Sequence, residues 1–313
     1  MSAGKWIKTI HTETPLREAA QQVLSARFAV VRNHLRLAQT HWQSDPEHVH
    51  QLRVGIRRAE VALQIFAECI PTKVWQKSRK ELKRLRRAVS QPRDWDVFVL
   101  NLSEQIQADA ESPHPGWNWL MGYGVSQRIS AQNEFHKRVS EFNGGMERVV
   151  EKVLASVRKS KKTLGDLAGP LLEQLLTQLE TAAGKDFKDS EHFHDVRKDG
   201  KRLRYAMEVF VNCFATEFRT VHYASIEAMQ EILGRANDSF VAIEQLRWLH
   251  DLARQMLPND WERIQPDIVS NLQFHEERYP EERKRFEDWW RHWNESGTLS
   301  EFKAMIHPNR VCV

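Results

Sequence analysis

Apolar residues return at every third or fourth position over most of this chain, the period of a helix that lays one face against a core. Leu16, Ala20, Val23, Leu24, Phe28, Val31, Leu35 and Ala38 keep that period and predict a first helix over residues 15–43. Asp45 ahead of Pro46 reads as the cap and first-turn proline of a second helix. Ile70-Pro71-Thr72 breaks it, and residues 73–90 predict a third helix with Trp75, Leu82, Leu85 and Val89 on its apolar side. Gln91-Pro92 reads as a turn, with Asp94 placed to cap a fourth helix. Ser112–Gly116 is an expected loop, and residues 117–154 predict one long or broken helix. Arg158-Lys159-Ser160-Lys161-Lys162, followed by Gly165, Gly169 and Pro170, has the composition of a linker.

Beyond the linker the pattern restarts at residues 170–183 and runs through 192–214. A further helix at about 217–233 is expected to end on Leu233-Gly234, where glycine suits a left-handed cap, with Asn237-Asp238-Ser239 capping its successor. Phe286, Trp289, Trp290 and Trp293 make an apolar seam expected to pack on the second half, and the tail from Ser296 is expected to be irregular.

One stretch is written twice. His48-Val-His50-Gln-Leu-Arg53-Val-Gly-Ile-Arg57-Arg58 recurs as His192-Phe-His194-Asp-Val-Arg197-Lys198-Asp-Gly-Lys201-Arg202. The same ungapped shift carries Cys69 onto Cys213, Arg93-Asp94 onto Asn237-Asp238, Val97 onto Val241 and Leu102 onto Leu246. A repeat of this length makes the chain two copies of one unit, and residues beyond 258 find no counterpart in it. The expected organisation is a first half over 1–155, a basic linker over 156–169, a second half over 170–295 and a tail over 296–313.

On a helical wheel His50, Arg53, Arg57 and Val61 share one side of the first copy, while Leu52, Ile56, Ala59, Leu63 and Phe66 share the other. His194, Arg197, Lys201 and Arg204 repeat the polar side; Val196, Gly200, Leu203, Met207 and Phe210 repeat the apolar one. Each helix is thus expected to carry a core face and a cationic face. The cationic faces repel themselves unless an anion lies against them, Glu60 being the one acid interleaved.

This pattern of H-x-x-R-x-x-x-R/K-R, followed by an Arg-Asp or Asn-Asp pair some forty residues on, resembles the CHAD domain, the conserved histidine α-helical domain. The resemblance spans roughly residues 15–295. It implies an all-α fold of two four-helix bundles, related by a pseudo-two-fold axis, around a basic central channel that holds inorganic polyphosphate.

Composition changes the picture in one respect. Lys+Arg number 46 against 42 Asp+Glu, so a net charge of +4 does not by itself mark an anion binder. Distribution does: residues 79–87 hold six cations and one acid, whereas 276–288 are acid-rich. Such a layout focuses anions at one place. A 41% hydrophobic fraction with 13 Gly suits packed helices, and three cysteines suit small core thiols rather than a disulfide framework. No apolar run approaches a membrane span and no secretory signal opens the chain, so a soluble cytoplasmic protein without a membrane partner is expected, located on polyphosphate granules if the resemblance holds.

Polyphosphate carries about one charge per phosphate and no bases to read, so its binding calls for rows of donors: Arg for paired oxygens, Lys as a point charge, His as a titratable donor. The expected rows are His50, Arg53, Arg57, His194, Arg197, Lys201 and Arg204, with Lys83, Arg86, Arg87 and Arg93 as a second tier and Lys198 and Arg202 at the margin. Because Glu227, Gln230, Glu231 and Asn237 stand where the first copy has Lys83, Arg86, Arg87 and Arg93, the basic lining is expected to be lopsided toward the first half. His-x-His occurs twice, but the surrounding cations oppose a metal, and no metal or cofactor is expected. Asp94 and Asp96 read as capping acids. No phosphate-loop glycine signature or Glu-x-Glu-x-Lys run of the triphosphate tunnel enzymes is present, so a stand-alone, non-enzymatic binder is expected. A nucleic-acid or generic polyanion binder is the alternative, and a phosphohydrolase a weaker one, since only Glu60 offers a carboxylate near the rows. Chain-length preference and oligomeric state are left open.

Overall fold

The computed structural model describes residues 5–108, 114–141, 144–185 and 190–307, and within these the chain is helical, with α1 (Leu16–Thr40), α2 (Glu47–Ile65), α3 (Thr72–Ala88), α4 (Ser90–Ala108), α5 (Pro115–Ser140), α6 (Gly145–Ser156), α7 (Leu164–Ala183), α8 (Ser190–Phe210), α9 (Ala224–Met256), α10 (Trp261–Glu295) and α11 (Thr298–Ile306). Short 3-10 turns follow α2 and α8, and a π-helical turn over Phe218–Tyr223 leads into α9. The shift that carries His50 onto His194 also carries α1 onto α7, α2 onto α8, and α5 into the span of α10. A helical counterpart therefore exists beyond residue 258 although the residues no longer match.

The chain forms two compact units: residues 1–87, 141–230 and 288–313 in one, residues 88–140 and 231–287 in the other. Each draws on both halves of the sequence.

In the first unit α1 packs on α2, α7 on α8, and α2 on α8. The apolar faces read from the sequence are the buried ones: Leu52, Ile56, Ala59, Leu63 and Phe66 on the first copy, Val196, Leu203, Met207 and Phe210 on the second. The Asp45 carboxylate accepts the Glu47 amide at 2.8 Å, the expected start of α2. The linker is non-helical over residues 157–162, and α7 begins at Leu164, earlier than the pattern suggested, because Thr163 and Asp166 form a reciprocal capping box. The tail expected to be irregular forms α11, whose Leu299, Phe302 and Ile306 are buried and which packs on α7; residues 308–313 lie outside the described residues. Cys69 is buried and Cys213 half-buried, and burial raises both thiols, Cys213 to about 11.

In the second unit α4 packs on α5. Phe98, Leu102, Trp117, Leu120, Leu246, Leu249, Ile264 and Ile268 build one core cluster. Asp94 is not a cap, nor is Gln91-Pro92 a turn before the helix: α4 already begins at Ser90, and Pro92 occupies its first turn, where a missing N–H costs nothing. Asp96, buried, accepts a 2.6 Å bond from the Arg128 guanidinium of α5 and fastens the two helices. The expected stop at Leu233-Gly234 does not occur; α9 runs through it, and Asn237-Asp238-Ser239 lies inside that helix. Ser112 and Pro113 of the expected loop lie outside the described residues, while Pro115 and Gly116 start α5, and the residue 117–154 region is broken between α5 and α6.

Candidate functional site

Helices α2 and α8 are held together by a charged cluster inside the first unit. The Arg58 guanidinium donates twice to the Glu208 carboxylate, at 2.7 and 2.8 Å. Arg27 of α1 donates to the same carboxylate at 3.4 Å and to the Lys5 carbonyl at 3.2 Å, and the Tyr223 hydroxyl donates to it at 3.2 Å. Arg27, Arg58 and Glu208 are all buried, Glu208 completely. Burial lowers Arg27 to about 10, with Glu208 opposing that shift. A fork-on-carboxylate pair satisfies both ions when water is excluded. The cluster was not foreseen from the sequence. Arg58 lies beside Arg57 in the basic run, and only the inward turn of α2 separates them.

That clamp fixes the outward faces. Arg53 and Arg57 of α2 and Arg197 and Lys201 of α8 are partly exposed, as is His50, while His194 is exposed. Arg57 reports their convergence: burial first, then the neighbouring Arg53, Arg197 and Arg86 guanidiniums, lower it to about 10 against the opposing effect of Tyr205. Cations from α2, α8 and α3 thus crowd one place. Although His194 keeps much of its surface in solvent, partial desolvation and then Arg197, Lys198 and Lys201 lower it, with Asp195 opposing. Mutual repulsion of this kind is relieved by an anion.

The remaining predicted residues are distributed differently. Arg204, expected in the second row, donates to the Glu227 carboxylate at 3.2 Å and lies over the Tyr205 ring at 5.0 Å, linking α8 to α9. Lys198 and Arg202 pair with Asp195 and Asp199 one turn before them, acids that flank the second row and were not weighed from the sequence. Arg86 pairs with Glu60 at 3.2 Å, and Lys83 and Arg87 are exposed on α3. Arg93 is half-buried on α4, in the second unit.

His48 of α2 lies 6.3 Å from the rings of His34 and of His41, and burial together with His48 lowers His34. Among the described residues no group of three or more His, Cys, Asp or Glu side chains is placed to hold a metal. A cavity of about 390 Å³ in the first unit is lined by Thr12, Pro170, Cys213, Phe214, Met305 and His307 among others, and none of its lining residues belongs to the rows. No described helix is long and apolar enough to cross a membrane.

Comparison with known proteins bears on this arrangement. The CHAD domain family model matches residues 22–247. The fold is similar to the crystal structure of the CHAD domain from the plant Ricinus communis, with a TM-score of 0.65 at 22% identity over 90% of this chain and 93% of that one. It is also similar to PptA from Streptomyces chartreusis, with a TM-score of 0.66 at 16% identity over 89% of this chain and all of that one, 100%. Among curated proteins no match is found.

Proposed function

The chain belongs to the CHAD domain family, and from that premise we propose that its clustered cations bind inorganic polyphosphate, without catalysing a reaction on it. The observation that carries the reading is the crowding of Arg53, Arg197 and Arg86, from three helices, around the Arg57 guanidinium. Like charges are brought together at a cost, and a polyanion laid across them returns that cost as charge-assisted hydrogen bonds of about 1.5–3 kcal/mol each. Successive phosphates of one chain arrive at high effective concentration, so weak individual contacts add to firm binding. The duplicated stretch contributes one row per copy, on α2 and on α8. Residence on polyphosphate granules in the cytoplasm follows from that binding.

Nucleic acid is disfavoured on a specific ground. Single-strand binders pair cations with exposed aromatic platforms, whereas Tyr205, beside Arg57, is buried, and Trp75, under Arg79 on α3, is half-buried with its ring N–H donated to the Leu63 carbonyl at 3.0 Å.

The test is a titration of long-chain polyphosphate, heparin and DNA at two salt concentrations, on the native chain and on Arg53→Ala/Arg197→Ala. Polyphosphate is expected to bind tightest, and the double variant to lose at least tenfold in affinity with its helical melt nearly unchanged. Equal affinities and equal salt slopes for all three polymers would reduce the protein to a general polyanion surface. Intact binding per folded molecule of the double variant would make these arginines structural.

A further inference from the structure

Glu60 is the acid interleaved in the α2 row, and it is not at its edge. Its carboxylate accepts from Arg86 of α3 at 3.2 Å, with Arg57 and Arg79 as further neighbouring cations. The pair is reachable from solvent, the Glu60 side chain being 23% and the Arg86 side chain 39% exposed. Burial pushes the carboxyl above its usual range, and the guanidiniums of Arg86, Arg57 and Arg79 partly offset that rise.

The second copy repeats the fastening with the charges exchanged. Arg204 stands at the position of Glu60, and the acid is Glu227, at the position of Lys83. Glu227 accepts from Arg204 at 3.2 Å, Lys5 at 2.8 Å and the Tyr223 hydroxyl at 3.2 Å. Either polarity joins one helix to the next, but only the first places an acid on the row-bearing helix itself, beside Arg57.

We infer that Glu60 is an internal counter-anion: it occupies Arg86 and screens Arg57 when no polymer is bound, and competes with an incoming phosphate for both. It lowers the affinity of the row and keeps the cluster from repelling itself when empty. This rests on the polyphosphate reading and adds a residue that sets its strength. An exposed ion pair of this kind is weak, so a phosphate with three or four neighbouring contacts displaces it, after which the carboxylate faces the phosphate as a like charge.

Glu60→Gln removes the charge and keeps an acceptor for Arg86; Glu60→Ala removes both. Isothermal titration with long-chain polyphosphate is expected to show both variants binding about two- to fivefold tighter than the native chain. In an Arg86→Ala background the gain from Glu60→Gln is expected to shrink by at least half, because the cation it unmasks is gone. Unchanged or weaker binding by Glu60→Gln, with a native helical melt, overturns the inference and makes Glu60 a support that positions Arg86. Native-chain binding with no gain in either variant sinks this inference alone, whereas absence of native-chain binding takes the polyphosphate reading down with it.

Discussion

Arg53 and Arg58 are five residues apart on one helix and have opposite surroundings. Arg53 stands partly in solvent among other cations, while Arg58 is 6% exposed and grips Glu208 with two nitrogens. Their residue type is the same, and the helical wheel puts Arg58 at the margin of the cationic face, like its repeat equivalent Arg202, where a basic residue in a basic run attracts no notice. Glu208 was equally easy to pass over, an acid in a stretch dominated by Val209 and Phe210. Taking away that carboxylate leaves two guanidiniums in a dry site, a loss of about 3–5 kcal/mol for a broken buried pair. Glu208→Ala is therefore expected to lower the urea midpoint far more than Asp199→Ala, whose partner Arg202 is half exposed. Comparable shifts for the two variants in the same titration would refute a buried role for Glu208.

At the scale of elements, one proline decides where helices stop. Pro92 has no N–H to continue hydrogen bonding from α3, so the first copy breaks at Val89 and restarts as α4. Ala236 stands at the matching place and has its N–H, and α9 passes unbroken through Gly234, whose flexibility costs the helix about 1 kcal/mol without ending it. The faces of α2 and α8 were legible because 3.6-residue periodicity is a property of the local chain. Helix ends were less so, since a Gly or an Asn-Asp pair is a stop signal only when the chain has somewhere else to go. Helix α11 makes the same point: Phe302 is completely buried and stacks on His222 at 5.1 Å with Phe218 at 5.9 Å, contacts that no local pattern in a short tail announces. Phe302→Ala is expected to cost about 3–5 kcal/mol, seen as a lower denaturant midpoint at unchanged slope. A midpoint within error of the native one would show α11 to be detachable.

For the molecule as a whole, a net charge of +4 spread over 46 cations and 42 acids leaves binding to local arrangement. Ion pairs engage many of the cations: Lys198, Arg202, Arg204, Arg128, Arg235 and Arg247 each face a carboxylate. On the proposed polyphosphate reading, the crowded guanidiniums around Arg57 are where a polymer gains most. A ligand that binds only the folded chain stabilises it by about 2.7 kcal/mol at one hundred times its Kd. Scanning calorimetry with saturating polyphosphate is thus expected to raise the melting temperature of the native chain by several degrees, with the rise shrinking as salt increases and nearly absent for Arg53→Ala/Arg197→Ala. An equal rise in the double variant would place the binding elsewhere.

Sequence alone determined the helical class, the repeat, the core side of each row helix and the family, because each of these is carried by spacing along the chain. Tertiary structure alone decided which cations are buried against a carboxylate. Whether Arg57 or Arg58 grips one turns on which carboxylate another helix brings within 3 Å or so of a guanidinium, and the pairing of Glu208 with Arg58 joins residues 150 positions apart. Charge is written locally, but its neutralisation is a matter of distance in space, and only the packed helices set that distance.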